Sequence, residues 1–320
     1  VTTQKLTWPL FLELIRLPTK LASLLPFALG VSYAWYARGQ FDAVNTAVYF
    51  VGQMSIAIFV TGFNNVQDWF KSQDPAYRAK GNIIGTAHLS PYRVLALMLT
   101  FLVVACGAGA FLVWRTDLSL LLVGGAAILI AVCYTFGPVP LSRLPIGEVA
   151  SGLTEGLGTI FIAYYVNVTP YPLTLRLSGR GFIATADLQV LLTILVVALP
   201  IVILDGTIMF ANNICDIDED IVNQRQTLAV LLGHDRSLRL YPWLPVAAFA
   251  CLTLGVGLRL LPWPMLLVWG VWPRIRRNVR KFLQVQVRRL TFNTAVGNLL
   301  MTAGAEVAVL CAVNLWQGFR

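Results

Sequence analysis

The feature that most constrains this chain is a series of long apolar runs. A membrane-crossing helix needs about 20 mostly apolar residues. Nine stretches read that way: 22–35, 43–63, 94–114, 118–136, 148–168, 188–211, 241–256, 260–272 and 291–316. The first and eighth are the shortest. Charged residues make up only 12% of the 320 and hydrophobic ones 57%. Charge this sparse excludes an ordinary soluble enzyme, which carries about 25%, and apolar content this high excludes disorder. The expected fold is all-α, a multi-pass bundle of nine transmembrane helices around a central cavity, forming one membrane-embedded domain over 1–320. Arg16 and Lys20 flank the first run, and no convincing small-residue cleavage site follows it, so no signal peptide is expected. The five cysteines are scattered without a Cys-x-x-Cys pair, which argues against a disulfide framework or a zinc site.

The net charge of +9 has a location. With the N-terminus in the cytoplasm, nine spans leave Arg38, Arg115, Arg176, Arg180, Arg259 and Arg320 outside and the other 18 of the 24 Lys and Arg inside. That asymmetry follows the positive-inside rule and predicts a cytoplasmic-membrane protein with its N-terminus in and its C-terminus out. The segment Arg274–Arg289 holds seven basic residues and no acid. It reads first as an anchor beside anionic headgroups, and second as part of an entry route for an anionic substrate. Nucleic acid is not an expected partner, because no fold able to present a reading element is left over.

The acids are concentrated. Six of the 15 fall in two stretches, Asn64 to Asp74 and Asn212 to Asp220, and both stretches open with Asn-Asn-x-x-Asp. Each follows a long apolar run at its inner end, one in each half of the chain. The match suggests pseudo-repeated halves of about 1–145 and 146–320. Residues four apart share a helix face, so Asn64 with Asp68, and Asn212 with Asp216 and Asp220, form two oxygen-rich faces. With Asp74 added and no His or Cys nearby, this set suits a hard cation, Mg²⁺ best. Lys71 lies within the first stretch, Arg78 and Lys80 follow it, and Arg225 follows the second; acids for a metal beside bases for phosphate read as a diphosphate site. The plainer alternative, solvated acids capping helix ends, would have to hold twice at equivalent depth. Asp205 lies seven and 11 residues before Asn212 and Asp216, on their helix face, and is read as cavity-lining. Glu306 sits mid-way along the last run. Intramembrane acids are costly and face a cavity or a partner. His88 and His234 lie in inner loops without a paired nucleophile.

These motifs resemble the UbiA superfamily of intramembrane aromatic prenyltransferases, within it the 1,4-dihydroxy-2-naphthoate polyprenyltransferases of menaquinone synthesis. The resemblance rests on three stretches. Asp68 and Asp74 stand six apart around Lys71; Tyr134-Thr135-Phe136-Gly137-Pro138 is followed by Gly147-Glu148; and the second motif runs on through Thr227-Leu228-Ala229-Val230 to Gly233. Two positions depart from the family pattern. Asn65 stands where an Asp is usual, and Gln224-Arg225 where a Gly-Lys pair is common, which keeps the cation but turns a point charge into a planar fork.

The resemblance implies nine helices, with the motifs on the second and sixth, and Mg²⁺-dependent transfer of a polyprenyl group from its diphosphate to the naphthoate. The products would be demethylmenaquinol, CO₂ and diphosphate. Asp68, Asp216, Asp220 and Lys71 are the expected catalytic residues. Asn64, Asp68, Asp74, Asn212, Asp216 and Asp220 are the expected metal set, and Asn65, Arg78, Lys80, Tyr134, Asp205 and Arg225 the substrate-binding set. The alternatives are another aromatic acceptor such as 4-hydroxybenzoate, a chlorin or haem, and, from a different class, an ion transporter. A transporter should spread polar residues through the depth of several spans, whereas here they gather at one face.

Overall fold

In a medium without water, a backbone can satisfy its polar groups only internally, so apolar runs of this length fold as helices. The computed structural model describes residues 4–72, 77–138 and 140–318. The N-terminal part contains α1 (Trp8–Leu14), α2 (Leu17–Arg38), α3 (Ala43–Lys71), α4 (Ile83–Thr86), α5 (Pro91–Arg115) and α6 (Ser119–Cys133). Then come α7 (Gly147–Ser151), a π-helical segment Gly152–Gly158 and α8 (Thr159–Tyr165), which form one continuous rod. After a hairpin of β1 (Leu173–Ser178) and β2 (Gly181–Ala186), the chain continues through α9 (Leu188–Cys215), α10 (Ile217–Val222), α11 (Leu228–Leu232), α12 (His234–Leu240) and α13 (Trp243–Gly257). It ends with a 3₁₀ segment Trp263–Val271, α14 (Trp272–Gln284), a π-helical segment Arg288–Phe292 and α15 (Asn293–Gly318).

Among the described residues, five helical runs are long and apolar enough to cross a membrane: Ala43–Lys71, Pro91–Arg115, Leu188–Cys215, His234–Gly257 and Arg288–Gly318. The expected nine are not all carried by length and composition. The eighth stretch, 260–272, folds as a nine-residue 3₁₀ helix, which at about 2 Å per residue reaches only ~18 Å. Its continuation α14 is amphipathic: Ile275, Val279 and Phe282 are buried, while Arg274, Arg276, Arg277, Arg280 and Lys281 are exposed. A basic amphipathic helix of this kind suits the membrane interface. The hairpin departs from the all-α expectation. Its six-residue strands pair antiparallel from Leu173↔Ala186 to Ser178↔Gly181, and Gly179 takes the left-handed conformation (φ +54°) at the two-residue turn.

Caps and polar ties fix the helix ends. Asp42 accepts from the Asn45 backbone N–H at 2.8 Å and so caps α3. Arg115, at the end of α5, donates to Asn45 Oδ1 at 2.6 Å and pairs with Asp42 at 3.2 Å. The core is built where α2, α8, α9, α13 and α15 meet, around Tyr165, Phe210, Tyr241 and Phe249. A second cluster of Phe59, Phe63, Val66, Ile84 and Met98 ties α3 to α4 and α5. Val103, Trp114, Leu122, Leu129 and Leu192 lie exposed on the outside. So much outward apolar surface is what a membrane protein presents to lipid.

Candidate active site

Both acidic motifs sit at the same end of the bundle and line one cavity of about 280 Å³. Asn64, Asn65, Asp68 and Lys71 lie within the last two turns of α3, not beyond its end. Asn212 is in the last turn of α9. The expectation of one unbroken helix through Asp220 does not hold: Asp216 leaves helical geometry (φ −111°, ψ 12°) and separates α9 from α10. Asn212, Asp216 and Asp220 reach the same cavity across that break.

One guanidinium joins the two motifs. Arg225 lies 3.6 Å from Asp68 in the first and 3.2 Å from Asp220 in the second. Asp220 is almost wholly buried, with 2% of its surface exposed, and also accepts from the Thr227 hydroxyl at 3.2 Å. Asp216 accepts from Asn212 Nδ2 at 3.3 Å and pairs with Arg288. Burial pushes the Asp216 carboxyl up to about 6, against the pull of Arg288. The same cause raises Asp220, opposed by Arg225. These carboxyl groups are costly to ionise without cations beside them.

The remaining expected residues divide. Lys71 lines the cavity and donates to the Thr135 carbonyl at 3.2 Å. Asn65 also lines it, but its amide donates to the Leu14 and Thr61 carbonyls at 3.0 and 3.2 Å and tethers α1 to α3. Tyr134 lines the cavity with its hydroxyl buried and without a hydrogen-bond partner among the described residues. Arg78 is not among the lining residues. Its side chain is exposed and donates to the Phe70 and Ser72 carbonyls, closing the end of α3. Asp74 and the Lys80 side chain lie outside the described residues.

Sequence reasoning missed several cavity residues. Arg288 belongs to the basic segment read first as a membrane anchor, yet it pairs with Asp216. Arg16 and Lys20, counted only as flanking charges, line the cavity. Lys20 is buried and donates to the Ala57 carbonyl and the Thr61 hydroxyl at 2.6 and 2.7 Å. Glu155 lines it too; the signal, an acid inside an apolar run, was the one that singled out Asp205.

The fit to a metal can be judged from the donors. Asn64 Oδ1 is buried with no hydrogen-bond partner among the described residues, and the oxygens of Asp68, Asn212, Asp216 and Asp220 share its cavity. No group of three or more His, Cys, Asp and Glu among the described residues could hold a metal ion alone. Such a set fits Mg²⁺, which takes one or two carboxylates and completes its shell with substrate phosphate and water.

Beyond the polar cavity lies a larger apolar one of about 420 Å³ between α3, α5, α6 and the Gly147–Tyr165 rod. The two share Val60, Tyr134, Ser151 and Glu155. A polar chamber therefore adjoins an apolar one. Residues 23–315 match the UbiA prenyltransferase family. The chain belongs to that family. It is thus an enzyme of prenyl transfer, and the transporter reading gives way. A 1,4-dihydroxy-2-naphthoate octaprenyltransferase of Bacillus subtilis (strain 168) is 27% identical over 278 residues, 85% of this chain and 81% of the relative. The fold is that of a UbiA homolog from Aeropyrum pernix K1, with TM-score 0.63 and 18% identity over 91% of this chain and 97% of that one. It is also that of a UbiA homolog from Archaeoglobus fulgidus bound to GPP and Mg²⁺, with TM-score 0.55 and 13% identity over 93% and 99%.

Proposed function

We propose that this enzyme transfers a polyprenyl group from its diphosphate to 1,4-dihydroxy-2-naphthoate, giving demethylmenaquinol, CO₂ and diphosphate. The observation that carries the reading is Arg225, which touches Asp68 of one motif and Asp220 of the other. A single cation between two acid-bearing helix ends defines a point where a diphosphate and its metal would sit. The Bacillus subtilis relative supports the naphthoate as acceptor, and the Archaeoglobus fulgidus homolog supports Mg²⁺ with a prenyl diphosphate.

Asn64, Asp68, Asn212, Asp216 and Asp220 would hold Mg²⁺, with Asp74 as a further ligand. When bound, the ion neutralises charge on the diphosphate as it leaves. Lys71, Arg225 and Arg288 bring fixed positive charge to the same place, where low water content makes it more effective than in solution. Rupture of the allylic C–O bond leaves positive charge on the prenyl carbon. The chamber wall of Val60 and the Tyr134 ring excludes water from it. The apolar chamber takes the tail. We place the site at the cytoplasmic face of the cell membrane, in nine spans with the N-terminus inside, because that arrangement puts 18 of 24 basic residues on the inner side.

The test uses purified enzyme with a mixture of prenyl diphosphates and either dihydroxynaphthoate or 4-hydroxybenzoate. Products are identified by mass spectrometry with and without a Mg²⁺ chelator. A prenylated, decarboxylated naphthol made only with metal is the expected result. Transfer to hydroxybenzoate alone would overturn the acceptor, and full activity after chelation would overturn the metal.

A further inference from the structure

The two chambers meet at a cluster that the diphosphate chemistry does not use. Asp205 on α9 accepts from the Ser151 hydroxyl at 2.7 Å. Glu155 lies one turn beyond Ser151 and lines both chambers, and its Oε2 is buried without a hydrogen-bond partner among the described residues. The Tyr134 hydroxyl is equally without one and lines both chambers.

The backbone brings the acids together. Glu155 is carried by the π-helical segment Gly152–Gly158, a geometry that occurs frequently at functional sites. Two glycines of that segment press on α9 at Val202: a Cβ at Gly152 would stand 2.4 Å from the Val202 carbonyl oxygen, and one at Gly156 2.9 Å from its Cα. Only glycine permits this approach. Val202 lies one turn before Asp205, so the contact brings both carboxyl groups into the lining of one cavity.

We infer that Glu155 is the catalytic group that accepts the acceptor's hydroxyl proton, with Asp205 as the positioning residue that holds the acceptor against it. This rests on the prenyl-transfer reading above and assigns the acceptor half of that site. A hydroxyl at the junction supplies the donor that Glu155 Oε2 lacks, and it sets the aromatic ring at the mouth of the tail chamber. The ring carbon bonds to the prenyl carbon, and the prenyl C–O bond breaks with its electron pair leaving on the diphosphate. The O–H pair becomes the second bond of a ring carbonyl, and the proton passes to the Glu155 carboxylate. Loss of CO₂ returns an electron pair to the ring, the carbonyl oxygen takes the proton back, and Glu155 is restored. The acceptor class is therefore a hydroxylated aromatic that offers a donor next to the carbon to be alkylated. The titratable groups around Glu155 are Lys20 on α2, Tyr49 on α3, Tyr134 after α6 and Asp205 on α9.

Glu155→Gln and Glu155→Asp are compared with wild type by two measurements: product formation from a panel of phenols at saturating acceptor, and binding of radiolabelled prenyl diphosphate with Mg²⁺. Expected for Glu155→Gln is a loss of product formation on the order of 100-fold, the usual range for a proton-transfer group. Prenyl diphosphate binding should stay within about threefold of wild type, as expected when the diphosphate contacts are untouched. Glu155→Asp should recover most of the rate. Product formation by Glu155→Gln near the wild-type rate overturns the inference. So does loss of prenyl diphosphate binding in step with product, which would make Glu155 a packing residue. The two readings separate on the panel. A wild type that uses another phenol removes the naphthoate while the contrast at Glu155 is still read on that phenol, and one that alkylates no phenol overturns both.

Discussion

Replacing Gly152 with alanine tests the helix contact on which the geometry of the site depends. The added Cβ would lie 2.4 Å from the Val202 carbonyl oxygen, 3.2 Å from its carbon and 3.3 Å from Cγ1. Ordinary contact begins near 3.4 Å, so the two helices must part by about 1 Å. The closest atom is backbone, and no rotamer change relieves it. Overpacking of this kind costs about 1–3 kcal/mol, and the upper end applies. Alanine gains back about 0.5–1 kcal/mol over glycine in a helix. The net destabilisation is about 2 kcal/mol, a shift of roughly 30-fold in the folding equilibrium. Gly107→Ala is the control: nothing lies within 4 Å of its Cβ, so only the helical gain remains and stability should rise slightly. The assay is reversible unfolding in mixed micelles, with prenyl transfer measured on the same samples below the transition. A 1 Å displacement between Glu155 and Asp205 should also lower turnover by up to about 100-fold, while Gly107→Ala leaves it unchanged. If Gly152→Ala matches Gly107→Ala in both stability and turnover, the two helices do not approach as described.

Three further outcomes follow from the same structure. Arg225→Lys keeps the charge, but an ammonium cannot reach Asp68 and Asp220 as a fork does; kcat/KM for the prenyl diphosphate should fall on the order of tenfold, and Arg225→Gln on the order of 100-fold or more. Gly124 lines the apolar chamber with open space at its Cβ, so Gly124→Phe should shift products from a mixed pool of diphosphates toward shorter tails, read by mass spectrometry. Glu306 is 2% exposed with Oε1 lacking a hydrogen-bond partner among the described residues; Glu306→Leu should raise stability by about 1–3 kcal/mol without changing prenyl transfer.

The two acidic motifs of the cavity were legible in the sequence, whereas the cluster around Glu155 was largely hidden. Asn64, Asp68, Asn212, Asp216 and Asp220 stand out because oxygen ligands at helical spacing are rare in so apolar a chain, and they do share one cavity. The break at Asp216 was invisible, because four-residue spacing reads the same through a helix and across a short turn. Glu155 was overlooked because one acid in a small-residue run has no partner nearby in sequence. Its partner Asp205 is 50 positions away, and the glycine contact that joins them is tertiary. Arg288 shows the limit of charge counting, since a basic run sets topology as a group while one member leaves it to pair with an acid. The hairpin's first strand alternates Leu173, Leu175 and Leu177 with polar residues, a period-two signal lost between two long apolar runs.

The division into two chambers also decides where binding energy comes from. A prenyl tail entering this site leaves lipid, not water. The gain of about 0.8 kcal/mol for each CH₂ taken out of water is therefore not available, just as helices in a bilayer gain little from apolar contact alone. The apolar chamber selects by shape and length, and affinity must be generated at the diphosphate. The chamber proposed for the diphosphate is where the structure concentrates charge: Arg225 touches both motifs, Arg288 meets Asp216, and Lys71 lines the same cavity. Substitutions among these head-group residues should change affinity for short and long prenyl diphosphates by the same factor. Substitutions at Gly124 and its neighbours should change the ratio between lengths and leave the shortest substrate's affinity intact.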